Sequence, residues 1–135
     1  NQGSDYDKVK KAHDYLCNIC EYAPDWSKNR ANTAWGALVY GEAQCSGYAR
    51  AMKALCDAMG IGCYYVHADE NAINPSHQWN TVCIDGNWYI VDVQGDDKYG
   101  GYYFFLISDI TYQFMGGMSW DKSSIPACPS DYFGL

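Results

Sequence analysis

Basic residues are scarce in this chain of 135 residues: 9 Lys and Arg stand against 16 Asp and Glu, for a net charge of −7. A phosphate backbone would be repelled, and no basic stripe overrides that balance, so a nucleic-acid partner is excluded. An anionic membrane surface is disfavoured for the same reason. Apolar runs are short. None approaches the roughly 20 residues that span a bilayer, so no membrane insertion is expected. Histidines number 3. Cys17-x-x-Cys20 has no second pair to complete a four-ligand zinc set, so no metal is implied. Nor does any motif imply a cofactor. Internal repeats and low-complexity segments are missing too. The chain starts at Asn1 rather than Met, as expected of an excised or processed part of a larger chain.

What is present points to a packed domain. Hydrophobic residues make up 48% and charged residues 19%, and the length suits one domain covering residues 1–135. Aromatics reach 16%, with 13 Tyr and 5 Trp, enough for a ring-filled core or an exposed aromatic groove. Seven cysteines leave at least one unpaired. Cys17, Cys56, Cys63 and Cys83 sit in apolar segments and read as small hydrophobes.

The periodicity orders helices before strands. Val9, Ala12, Leu16, Ile19 and Cys20 recur at helical spacing within residues 5–21, with Pro24 just beyond. Asn32 or Thr33 can cap a short helix that Gly41 stops. A third helix starts near Cys45, carries Tyr48, Ala49, Met52, Leu55, Cys56 and Met59 on its apolar face, and ends at Gly60. Residues 63–68, 78–84, 88–93 and 102–107 read as strands. Residues 69–76 and the Gly- and Asp-rich stretch 94–101 read as loops. From Ser108 onward the pattern is weak, and Pro126 and Pro129 mark an irregular end. Helices followed by an antiparallel sheet make the α+β class.

Cys45 stands where a loop enters a helix. Unpaired backbone N–H groups and the helix dipole there stabilise a thiolate and can receive an oxyanion. The bland reading is one more buried cysteine. His77 and Asp92 sharpen the choice. Asp85-Gly86 between two strand-like runs signals a hairpin. A two-residue turn would set Asp92 opposite Trp79, on the face that also carries His77. His77 and Asp92 would then be diagonal neighbours, with Cα atoms about 7–8 Å apart. A three-residue turn would put them on opposite faces. In the close arrangement His77 takes the Cys45 proton, and Asp92 orients the ring.

The run from Thr33 to Leu38, the Gln44-Cys45-Ser46-Gly47-Tyr48-Ala49 segment, His77-Gln78-Trp79-Asn80, Asp85-Gly86-Asn87-Trp88-Tyr89 and Val91-Asp92-Val93 resemble bacterial transglutaminase-like domains. His13-Asp14-Tyr15-Leu16 and Phe105-Leu106-Ile107-Ser108-Asp109 resemble them also. The resemblance spans nearly the whole chain in the family's order. It implies a papain-like fold with a Cys-His-Asp triad, members that are cross-linkers, peptidases or other amidases, and an extracellular or cell-surface setting. After Asp92 the family often continues with Thr and Trp-Asp, whereas Val93-Gln94-Gly95-Asp96 follows here, so a different rim and substrate preference are expected.

Other residues are weighed beside the three. Gln44 is a candidate oxyanion donor. Trp79 would shield the triad or touch substrate, and Tyr48 would pack under Cys45 more readily than act. Asn80 points to the other face and reads as structural. His13 reads as a satisfied structural histidine and His67 as a rim candidate. Asp96 and Asp97 read as a solvated turn, and Cys17 and Cys20 as core. The expected activity is thiol-dependent acyl transfer on a peptide or carboxamide through a thioester. Water resolving it gives hydrolysis, which is favoured, and an amine gives cross-linking. The substrate would be a peptide or protein. The alternative is a non-catalytic peptide- or glycan-binding module of a larger surface protein.

Overall fold

The structure, a computed structural model, describes residues 3–23 and 30–133. Helix α1 (Asp5–Ile19) opens on Ser4, whose hydroxyl accepts the Asp7 N–H, and buries Val9, Ala12, His13 and Leu16. It ends two residues earlier than the periodicity predicts. Cys20 turns extended and feeds strand β1 (Glu21–Tyr22), which pairs in parallel with β2 (Glu42–Ala43). Pro24 lies outside the described residues. The short second helix is a π-helical turn, Gly36–Tyr40. The Thr33 hydroxyl accepts the Gly36 N–H at its start, and Gly41 ends it at φ 72°.

Helix α2 (Cys45–Met59) follows at once and stops at Gly60, where φ is 75°. The four long-range strands are β3 (Cys63–His67), β4 (Gln78–Ile84), β5 (Asn87–Val91) and β6 (Phe105–Ile107). They form one antiparallel sheet in the order β3-β4-β5-β6. The β4–β5 hairpin has the two-residue turn expected. Ile84 pairs with Asn87 and Asn80 with Val91, and Asp85 and Gly86 both have positive φ, at 52° and 86°. That geometry is the type I′ turn, which favours Asp-Gly.

Two stretches expected to be irregular are helical. Residues 93–99 form α3 (Val93–Tyr99), because the Asp92 carboxylate caps it by accepting the Gly95 N–H at 3.0 Å. Residues 109–116 form α4 (Asp109–Gly116), capped by the Ser108 hydroxyl on the Thr111 N–H. In both, an N-cap and a C-terminal glycine outweigh weak periodicity.

The central strand β4 is covered on both faces. Val82 and Ile84 join Val9, Leu16, Met52, Val91 and Leu106 beneath α1 and α2. Trp79 joins Ile90, Ile107, Tyr112 and Trp120 on the other side, which α4 and the C-terminal segment cover. The architecture is thus α+β, with helices on one face and a smaller aromatic core on the other. The alternation carries Asn80 toward α2, where its amide donates to the Ala49 carbonyl at 3.0 Å. His77 and Asp92 fall at the sheet end on the opposite side.

Candidate active site

Cys45 is the first residue of α2, and the first backbone bond of that helix runs from Tyr48 N–H to the Gln44 carbonyl. Its first-turn N–H groups therefore remain available to a ligand. Gly47 holds the turn close. A Cβ there would come within 2.4 Å of the Ala31 carbonyl and 2.6 Å of the Ala43 Cβ. Any larger residue would push the start of α2, and Cys45 with it, away from that seat. The Cys45 thiol is half-buried and faces Gln78 Oε1 at 3.3 Å and the Ser76 carbonyl at 3.6 Å.

His77 Nε2 donates to Asp92 Oδ2 at 2.6 Å, and both residues are buried. Burial pulls the imidazolium down. Hydrogen bonds to Asp92 and Cys45, and the charges of both, more than offset it and push His77 up to about 10. The ring thus holds a proton between a carboxylate and a thiol. Asp92 is itself held from three sides: Tyr112 Oη donates to Oδ2 at 2.6 Å, Gly95 N–H donates to Oδ1, and its own N–H reaches the Phe104 carbonyl at 2.9 Å. Burial, with the neighbouring Asp92 charge, raises Tyr112 well above the usual phenol range, so it remains a donor. A bulge at Leu106, with φ 59°, shifts the β5–β6 register between Ile90 and Val91, beside the strand end that carries Asp92.

The structure brings Cys45, His77 and Asp92 together on one cleft of about 510 Å³, lined also by Tyr22, Asn74, Gln94, Lys98, Tyr99, Phe104, Tyr112 and Met118. It treats the other candidates differently. Gln44 does not serve as the polar neighbour of the thiol. Its amide donates to the Ala23 carbonyl at 3.2 Å and ties the β1–β2 region instead. Trp79 is only 1% exposed, so it cannot touch substrate. Its ring packs 6.0 Å from that of His77, edge-on to Tyr112 and Trp120. Tyr48 is equally buried and donates to Asp97 at 2.6 Å, a packing role beneath α2.

Sequence reasoning passed over Gln78 and Tyr112. Gln78 neighbours His77 within an already quoted segment, so alternation toward α2 was a usable signal. Tyr112 had none, because nothing local ties it to Asp92. The solvated turn at Asp96 and Asp97 is also corrected. Asp96 is 1% exposed and accepts from His13 Nε2 at 2.7 Å and from Phe104 N–H at 2.7 Å. Burial pushes its carboxyl up against the opposing pull of those two bonds. Cys17 and Cys20 are pushed up to about 12 and about 11, chiefly by burial, which suits core thiols. His67 is exposed at the end of β3, its ring bonded to the Ala68 carbonyl.

Fold and site together define an α+β domain that presents a cysteine at a helix start to a buried histidine–aspartate pair. The sequence profile of the transglutaminase-like superfamily matches residues 1–93, a span that contains all three, and the chain belongs to that superfamily. The chain is 24% identical to the mouse (Mus musculus) kyphoscoliosis peptidase over 102 residues, 66% of this chain and 15% of that protein. Among solved structures it is similar to a TGase, at 22% identity and a TM-score of 0.58, over 70% of this chain and 27% of that one. It is also similar to a candidate cysteine protease from Cytophaga hutchinsonii, at 23% identity and a TM-score of 0.59, over 90% of this chain and 39% of that one. The shared fold is the transglutaminase-like, papain-like one. The chain thus spans well under half the length of these relatives.

Proposed function

We propose that this domain is a thiol amidase or peptidase in which Cys45, His77 and Asp92 act as nucleophile, acid–base and orienting carboxylate. The buried 2.6 Å bond between His77 and Asp92, on an imidazole that also faces Cys45, carries this reading. The Cys45 sulfur attacks the amide carbonyl carbon. The developing oxyanion finds the first-turn N–H groups of α2 close by. His77 gives its proton to the leaving amine, and a thioester remains on Cys45. Water then attacks the thioester with His77 taking the proton, and Cys45 is released. An amine in place of water would give cross-linking. Hydrolysis is favoured because Tyr22 and Tyr99, at 51% and 60% exposure, leave the cleft edge wet.

The test is the rate of Cys45 alkylation by iodoacetamide against pH, in the wild type and in His77→Ala. An ordinary thiol reacts slowly below about pH 8.5, where little thiolate exists. The proposal expects fast labelling near about pH 6.5 and its loss in the variant. Slow, identical labelling in both proteins would overturn it in favour of a binding module with an idle thiol.

A further inference from the structure

We propose that the cleft selects peptides that pair a bulky apolar side chain with a carboxylate two or three residues from the scissile amide, the carboxylate being received by Lys98. The proposal rests on the reading of Cys45 as nucleophile and adds the class of substrate.

The cleft volume of about 510 Å³ falls in the range that holds several residues of a peptide. Its walls are apolar and adaptable, formed by Tyr22, Tyr99 and Phe104 together with Ile73, Met115 and Met118. Aromatic rings and thioethers of this kind accept a large apolar group without demanding one shape. Among the described residues, Lys98 is the one lysine or arginine that lines the cleft, and the other positive group, the His77 imidazole, is already held by Asp92. It stands there in a chain whose net charge is −7.

Lys98 has no carboxylate within ion-pair distance among the described residues, and its Nζ lies over the Tyr99 ring at 5.4 Å. Among the described residues, the one acidic residue of the cleft lining, Asp92, is already bonded to His77, Tyr112 and Gly95. An arriving carboxylate therefore meets an ammonium without a carboxylate partner and no competing free acid among the described lining residues. Asp92 caps α3 and Lys98 sits in its last turn, about 9 Å along the axis, the span of about three extended residues. The carboxylate can belong to an acidic side chain or to a peptide C-terminus. Both offer the same group to Lys98.

The experiment reads alkylation of Cys45 by peptides carrying a reactive carbon, in a wild-type and a Lys98→Gln chain. One series is N-iodoacetyl-Phe-Gly-X; the other places a chloromethyl ketone at the C-terminus, so that the peptide leaves Cys45 in the opposite direction. Each contains a neutral Asn member and an Asp member, and the first also a member with a free terminal carboxylate. In at least one series a carboxylate member is expected to react about two- to fivefold faster than its neutral match, the scale of a partly exposed ion pair. That ratio should shrink with added salt and fall to unity in Lys98→Gln. Which member shows it separates side-chain from terminal recognition. Equal rates in both series, or a preference that survives in Lys98→Gln, would overturn the proposal. Iodoacetamide labelling with His77→Ala judges the nucleophile separately, because the ratios compare probes on one thiol.

Discussion

Two buried histidine–aspartate pairs lie within a few residues of each other in this fold, and only one is placed to do chemistry. His77 and Asp92 meet at 2.6 Å, and His13 and Asp96 at 2.7 Å. Both aspartates belong to the same stretch of chain, Asp92 as the cap of α3 and Asp96 within its first turn. The difference lies in what faces the second ring nitrogen. In His13 it meets Asp14 at 2.9 Å, and the ring is covered by Tyr102 and Phe105. No nitrogen of His13 is left to take a proton from anything else. In His77 one side is fixed by Asp92 and the other faces Cys45 and the cleft. The same two residue types therefore make a structural clamp in one place and a proposed acid–base in the other. An imidazole needs one fixed and one free nitrogen to move a proton.

The largest effect expected from breaking this comparison is on stability. His13→Leu leaves Asp96 buried without its partner and should cost about 3–5 kcal/mol by urea denaturation. The pH profile of Cys45 alkylation in the folded protein should not move. A profile shifted as in His77→Ala would show that the two pairs act as one unit. Next, Asp92→Asn keeps the helix cap but removes the carboxylate beside His77. Alkylation of Cys45 near about pH 6.5 should fall by up to about a hundredfold, the thiolate fraction an unassisted cysteine forfeits there. Wild-type rates in this variant would remove Asp92 from the site.

The pH dependence of stability sharpens the contrast further. His77 rises from 6.5 to about 10 in the folded protein, so the native state holds its proton more tightly than the unfolded chain does. Its contribution is complete below the lower value and is lost as pH climbs through the upper one. Unfolding free energy measured across that window should decline in the wild type and flatten in His77→Gln. A smaller effect is expected at Gly95. A Cβ there would stand 2.9 Å from both Asp92 Oδ2 and Phe104 Cδ2. Gly95→Ala should cost about 1–3 kcal/mol by displacing the carboxylate, and should slow Cys45 alkylation at low pH. An unchanged rate would mean that Asp92 tolerates the shift.

The candidate site is partly legible in the sequence. The Asp85-Gly86 turn fixes which face Asp92 joins, and Gly60 together with the loop before Cys45 fixes where α2 begins and ends. Tyr112, Gln78 and the His13–Asp96 clamp were not legible. Tyr112 bonds a residue twenty positions away, and His13 one eighty-three away. Helices α3 and α4 lay between these cases. Asp92 with Gly100, and Ser108 with Gly117, mark their ends, yet the few apolar residues between them gave no clear period.

The sequence by itself determined the turn, the caps and the strand alternation, because each depends on the backbone preferences of two to four adjacent residues. It thereby placed a cysteine at a helix start and a histidine and an aspartate on one sheet face. Only the tertiary structure decided which of two buried histidines kept a free nitrogen, which side chains closed around Asp92, and that Lys98 lines the cleft. Those outcomes depend on which distant segments the folded chain packs together, and on how burial and neighbouring charge then compete at each group.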